Sequence, residues 1–244
     1  MYNNSSTAAI VTGVTAERKP MTAMRKTALT AGILYLLTFV SIPTLVLYGN
    51  VHDPNYITGH GPDTAMLTGG ILEVIVALAG IGTAVVLYPV LRKRSESAAI
   101  GLVAARILES GTIFVGVAFL LSIVTLRQAA AGADALVTSH TLVALYDRIF
   151  LLGPSFMPAI DDLLLGFLLY KSRLVPRALS LIGIVGAPIL IVGYLAILFG
   201  VIGQDAPLRA LAALPVFVFE LSLGIWLIVK GFDPSAASEL LGAE

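Results

Sequence analysis

The chain has 244 residues, of which 57% are hydrophobic and 12% charged, and its formal net charge is zero. A soluble domain is about a quarter charged, so water would find too little polar surface here and lipid is the solvent that suits the composition. Zero net charge supplies no global field to draw in nucleic acid, and the absence of cysteine excludes disulfide scaffolds, thiolate metal sites and paired-thiol oxidoreductases.

Residues 1–24 read as a polar, disordered cytoplasmic tail. Met21 and Met24 stand beside Met1 as alternative translation starts. Ala28–Tyr48 is the first apolar run, about 21 residues or roughly 31 Å of helix, enough to cross a hydrocarbon core. Arg25 and Lys26 precede it as they would in a signal peptide. The run is too long for a signal's apolar region and lacks a small-residue cleavage site, which favours an uncleaved first span.

Gly49–Thr64 is rich in Gly, Asn, Asp, Pro and His and reads as a loop. Met66–Leu91 is a second span ending at Arg92-Lys93-Arg94, and Ala98–Leu126 a third, long enough to need tilt. After a small polar loop, His140–Tyr170 runs for about 31 residues or roughly 46 Å, which overshoots a bilayer. Gly153-Pro154 and Pro158 interrupt it, so it reads as one kinked span. Ala178–Ile202 is the fifth span and Leu208–Val229 the sixth. The spans make a membrane domain over residues 25–232, followed by a short polar tail over 233–244. The fold class is therefore all-α, a helical membrane bundle.

Basic residues orient it. Alternating sides assign Arg18, Lys19, Arg25, Lys26, Arg92, Lys93, Arg94, Lys171, Arg173, Arg177 and Lys230 to one face, and only Arg127 and Arg209 to the other. Cytoplasmic loops carry the excess of Lys and Arg, so both termini are expected in the cytoplasm of a prokaryotic cell. Splitting His140–Tyr170 in two would move Lys171, Arg173 and Arg177 outside, which argues for six spans. Small residues at helical spacing (Gly183, Gly186 and Gly193; Gly101, Ala105, Gly111 and Gly116) read as close helix packing. Tyr35, Tyr48, Tyr88, Tyr170 and Trp226 mostly lie near span ends, and those near the ends suit an interfacial aromatic belt.

The residues that carry functional information are ionisable groups inside spans: Glu73, Arg106, Glu109, Asp147, Arg148, Asp161, Asp162 and Glu220. A charge at the bilayer centre costs about 2.5–3.5 kcal/mol on insertion scales, so each must face the bundle interior, water or a partner. Counting about 1.5 Å per residue puts Arg106, Glu109, Asp161, Asp162 and Glu220 at one depth near the midplane. Arg106 and Glu109 are three apart and share a helix face. Glu73, Asp147 and Arg148 lie nearer the outer face and are expected to form a second layer. Four inner carboxyls against Arg106 alone leave a surplus that protons or a cation must balance. Paired charges that only lock helices in register are the plainer alternative.

In the outer loop, His52, Asp53, His60 and Asp63 match no metal-ligand spacing, and Asp53-Pro54 and Pro62-Asp63 are ordinary turn chemistry. No metal ligand set and no catalytic constellation is assigned, and no cofactor is named by any motif: Walker-type loops, dinucleotide fingerprints and HExxH are all absent.

Three stretches resemble the prokaryotic multispan membrane family known only as domain of unknown function 4386 (DUF4386). They are Lys26-Thr27-Ala28 through Ala31-Gly32-Ile33-Leu34-Tyr35-Leu36, then Ala105-Arg106-Ile107-Leu108-Glu109, then Leu165–Ser172 with Val175-Pro176-Arg177 and Leu181-Ile182-Gly183. The last is similar to the family's Gly-x-Leu-Leu-Tyr-[Lys/Arg]-Ser…Pro-Arg…Gly signature. The resemblance covers roughly residues 22–230 and implies a multispan α-helical bundle without an assigned activity. Asp161-Asp162 and the histidines of the outer loop are not part of it.

The leading functional expectation is binding or transport of a small polar, anionic or amphiphilic molecule in a charged cavity, with Arg106 holding the polar group and the four carboxyls as partners. One alternative is an embedded enzyme acting on a lipid or isoprenoid, with turnover lost in Glu109→Gln and Asp161→Asn. Another is an accessory subunit whose charges pair with a partner's helices, which purification as a lone stable monomer would contradict.

Overall fold

A computed structural model describes residues 22–53, 55–59, 61–203 and 207–242. The tail read over residues 1–21 and His60 of the outer loop lie outside the described residues. Six segments are long and apolar enough to cross a membrane: Ala23–Leu47, Thr64–Leu91, Glu96–Gln128, Gly132–Ser172, Arg177–Leu198 and Pro207–Val229. The α-helices are α1 (Ala23–Leu37), α2 (Thr44–Leu47), α3 (Thr64–Leu91), α4 (Glu96–Gln128), α5 (Leu136–Leu152), α6 (Met157–Ser172), α7 (Arg177–Leu198), α8 (Pro207–Val229) and α9 (Pro234–Gly242). The protein is an all-α membrane bundle.

Two of the six segments are not continuous α-helix. The first begins at a proper cap, Thr22, whose hydroxyl accepts from the Arg25 amide at 3.2 Å. It tightens to 3-10 geometry over Thr38–Ser41 and resumes as α2. Pro43 has no amide to donate. Three hydroxyls each donate to the carbonyl three residues back: Thr38 to Tyr35, Ser41 to Thr38 and Thr44 to Ser41. Such back-bonding bends a helix.

The fourth segment breaks between α5 and α6, at Gly153–Phe156. Pro154 removes another donor, and a Cβ at Gly153 would run into the Thr112 side chain on α4. The backbone turns where a helix-breaking pair meets a close neighbour. Pro89, Pro188 and Pro215 stay inside unbroken helices. α6 ends at Arg173 in the left-handed region, with φ 58°.

The helices pack as α3 on α4, α4 on α5 and α6, α6 on α7, α7 on α8, and α8 and α3 on α1. Contact is close where glycine stands. A Cβ on Gly32 of α1 would meet the Gly224 carbonyl of α8 at 2.8 Å, and one on Gly183 of α7 would meet the Phe219 ring at 2.8 Å. The main apolar core includes Tyr35, Leu87, Leu165, Phe219 and Leu223. Outward residues such as Val46, Val192 and Leu211 are apolar and exposed, as a lipid-facing surface requires.

The start of α1 meets the end of α8 at one end of the bundle. Arg25 donates to the Leu227 carbonyl at 2.9 Å and to that of Ile228, sealing the last turn of α8. The segment read as a polar tail carries α9, and its Ala237 packs with Phe232 on the main core.

Candidate functional site

Arg106, on α4, is the centre of the site. It is 4% exposed, so every donor it carries must find a partner inside the protein. Nη1 donates to Glu109 Oε2 at 2.9 Å, one turn along the same helix. Nη2 donates to Glu220 Oε1 of α8 at 2.9 Å and to the Tyr35 hydroxyl of α1 at 3.1 Å. Nε faces Asp161 Oδ2 of α6 at 3.6 Å, an ion pair just beyond hydrogen-bond length. One planar guanidinium thus joins four helices, a task suited to its fixed fork of donors.

The structure therefore brings together Arg106, Glu109, Asp161 and Glu220. Asp162 follows Asp161 on α6 and is equally buried, at 0% exposure for both. Among the described residues, neither carboxyl accepts a hydrogen bond. Tyr35, for which the sequence alone gives no functional role, is 1% exposed and bonded to Arg106. Its ring also lies beneath the guanidinium, with 5.6 Å from Cζ to the ring centre. Its position thirteen residues before Tyr48, the tyrosine that ends the run, and well inside the first span was the available signal.

The outer group divides. Glu73 of α3 is buried near the hydroxyls of Tyr48 and Tyr146. Asp147 pairs with His52 at 3.0 Å across the loop. Arg148 is exposed and makes no contact with Glu73 or Asp147 among the described residues. The outer-loop acids are otherwise engaged: Asp53 accepts from the Asn55 amide at 2.8 Å, and Asp63 pairs with Arg127.

Three cavities surround the network. The central one, about 260 Å³, is lined by Glu73, Arg106, Glu109, Ser110 and Glu220 and by the bent stretch around Thr38–Thr44. It shares Thr44, Leu45 and Phe150 with an outer one of about 440 Å³ that reaches His52, Asp147 and Arg209. It shares Pro154, Pro158 and Glu220 with a more apolar cleft of about 190 Å³ between the α5–α6 break and α7–α8. Both helix breaks thus border the central cavity. Non-helical backbone at membrane depth is tolerated where it lines such a space.

The chemistry of the walls follows from the hydrogen bonds. Thr38, Ser41, Thr44 and Ser110 each give their hydroxyl proton to a backbone carbonyl, so they offer lone pairs to a neighbour rather than protons. Glu73, Glu109 and Glu220 add carboxyl oxygens. Both terminal nitrogens of the only cation in the central lining already donate to protein acceptors.

Residues 30–231 match the family described as domain of unknown function DUF4386. The chain belongs to this family. The match covers five of the six apolar segments whole and the first from residue 30 onward, with every residue of the Arg106 network, and it carries no assigned activity. None of the curated proteins and none of the solved structures compared with the chain matches it.

Proposed function

We propose that this DUF4386 protein binds, and passes across or within the membrane, a small amphiphilic molecule whose head is cationic or rich in hydrogen-bond donors. The observation that supports the reading is the acceptor character of the central cavity. An anionic head would compete with carboxylates already seated on Arg106. A cationic head meets carboxyl oxygens and hydroxyl lone pairs, and its apolar body has the cleft between α7, α8 and the α5–α6 break. The excess of carboxyls over the single guanidinium also calls for positive charge, carried by a ligand or by protons.

In this reading Arg106, Glu109, Asp161 and Glu220 hold the cavity's shape, and Glu73, outside the ion-pair network, contacts the ligand. The basic end of the bundle faces the cytoplasm of a prokaryotic cell, with both termini inside, in keeping with the bias of Lys and Arg.

The test compares the protein purified in mild detergent with Glu73→Gln. A thermal shift with alkylammonium probes in the parent, reduced about tenfold in apparent affinity in the variant, is the expected result. Equal stabilisation by alkyl sulfates, or an alkylammonium effect untouched by Glu73→Gln, would overturn the assignment.

A further inference from the structure

The end of the bundle opposite the outer loop holds a separate cavity, of about 410 Å³, that the Arg106 site does not use. Its walls come from the α6–α7 connection and the α8–α9 connection, and they include Arg173, Arg177, Lys230 and Trp226. The two connections are tied by the Asp233 amide, which donates to the Leu174 carbonyl at 2.9 Å. All three cations are exposed, and none forms an ion pair among the described residues. Arg177 stacks over the Tyr170 ring at 5.0 Å, which leaves its N–H edge free.

The one carboxylate in the lining, Asp233, does not neutralise them. It accepts from the Ser235 hydroxyl and from the amides of Ser235 and Ala236, capping α9. Those donors hold its carboxyl below the usual range, so it stays ionised and turned toward its own helix. α7 starts at Arg177, a residue of this lining, without a side-chain cap, so the positive end of its dipole lies beside the cavity. Trp226 is the residue type that settles at headgroup level, and the neighbouring Ile225 and Val229 are exposed and apolar.

We infer that this cavity binds a phosphate group, as the headgroup of an anionic lipid or as a free phosphate. Three unpaired cations around a space of headgroup size supply the charge, Trp226 supplies the level in the bilayer, and the exposed apolar turn of α8 supplies a surface for acyl chains.

The experiment is native mass spectrometry of the full chain from a nonionic detergent, titrated separately with phosphatidylglycerol, phosphatidylcholine and inorganic phosphate. The variant is Arg173→Gln/Arg177→Gln/Lys230→Gln, and Arg92→Gln/Arg94→Gln is the control for loss of basic charge at the same end. The expected result is one tightly held phosphatidylglycerol, weakened roughly a hundredfold in the triple variant and little changed in the control. A phosphate adduct that displaces phosphatidylglycerol and vanishes in the triple variant supports the free-phosphate source. Equal retention of phosphatidylcholine, or anion binding equally weakened by the control, overturns the site. Equal thermal stability of parent and triple variant in detergent ensures that lost binding is not lost folding.

Discussion

The Tyr35 hydroxyl of α1 accepts a hydrogen bond from Arg106 Nη2 of α4 at 3.1 Å, deep inside the bundle. The same nitrogen reaches Glu220 of α8 at 2.9 Å. The first, third and sixth spans are thus held together by one side chain, and replacing it has a specific consequence.

Arg106→Ala leaves Glu109, Asp161 and Glu220 facing one another without a cation. Removing one partner of a buried pair costs about 3–5 kcal/mol, and a comparable loss is expected in thermal or denaturant unfolding in detergent. Arg106→Lys should recover little, because a single ammonium cannot reproduce the fork to Glu109, Glu220 and Tyr35. Tyr35→Phe should cost only about 1 kcal/mol, the scale of one hydrogen bond. A Tyr35→Phe loss as large as that of Arg106→Ala would show that the phenol does more than complete the guanidinium's bonding.

Gly183 and Phe219 provide a test of packing. A methyl on Gly183 would press on the Phe219 ring at 2.8 Å, so Gly183→Ala is expected to cost about 1–3 kcal/mol through overpacking. Shortening the ring to leucine should relieve part of that. A double-mutant cycle with Phe219→Leu would then show a coupling of at least about 0.5 kcal/mol. Simple additivity would mean that the two helices separate rather than clash.

Arg127 anchors the outer loop. It pairs with Asp63, donates to the Gly59 carbonyl at 2.9 Å and lies 4.4 Å from the Tyr56 ring centre. Burial raises the Tyr56 phenol above its usual range, and the Arg127 cation works against that shift. Arg127→Gln should leave the bundle's melting temperature nearly unchanged while hydrogen exchange over residues 49–64 speeds up by about tenfold or more. Unchanged exchange would assign the loop's order to its other contacts, such as His52 with Asp147.

Asp233 gives a pH dependence whose sign is set by its hydrogen bonds. Its folded value is depressed by the Ser235 hydroxyl and the Ala236 amide. The stabilisation it lends α9 is therefore present above the ordinary aspartate range, near pH 4, and is lost as pH falls through the depressed value. Exchange in α9 should rise below about pH 4, and Asp233→Asn should flatten that rise. An α9 that frays equally at every pH in both forms would remove the cap from the account.

Some of this arrangement was readable in residue order alone. The apolar runs and their lengths dictate helices that cross a bilayer, because lipid satisfies no backbone group. Arg106 and Glu109 are three apart, so their pairing follows from helical period. Gly153-Pro154 removes a donor and a Cβ together, and the fourth segment breaks there. These features depend only on near neighbours in sequence or on the solvent.

Tertiary structure alone decided the rest. Tyr35 and Val46 both sit in one apolar run, yet one meets Arg106 and the other meets lipid, because the rotation of the first span is set by α3 and α8. Glu73 lines the Arg106 cavity while Arg148 turns outward, a division that equal depth in the membrane cannot foretell. The bend at Thr38–Thr44 needs both Pro43 and hydroxyls that back-bond, and it opens the central cavity only because α5 and α6 break opposite it. Depth is a property of one helix; facing is a property of two, and the acceptor-lined cavity exists only where several helices turn their faces together.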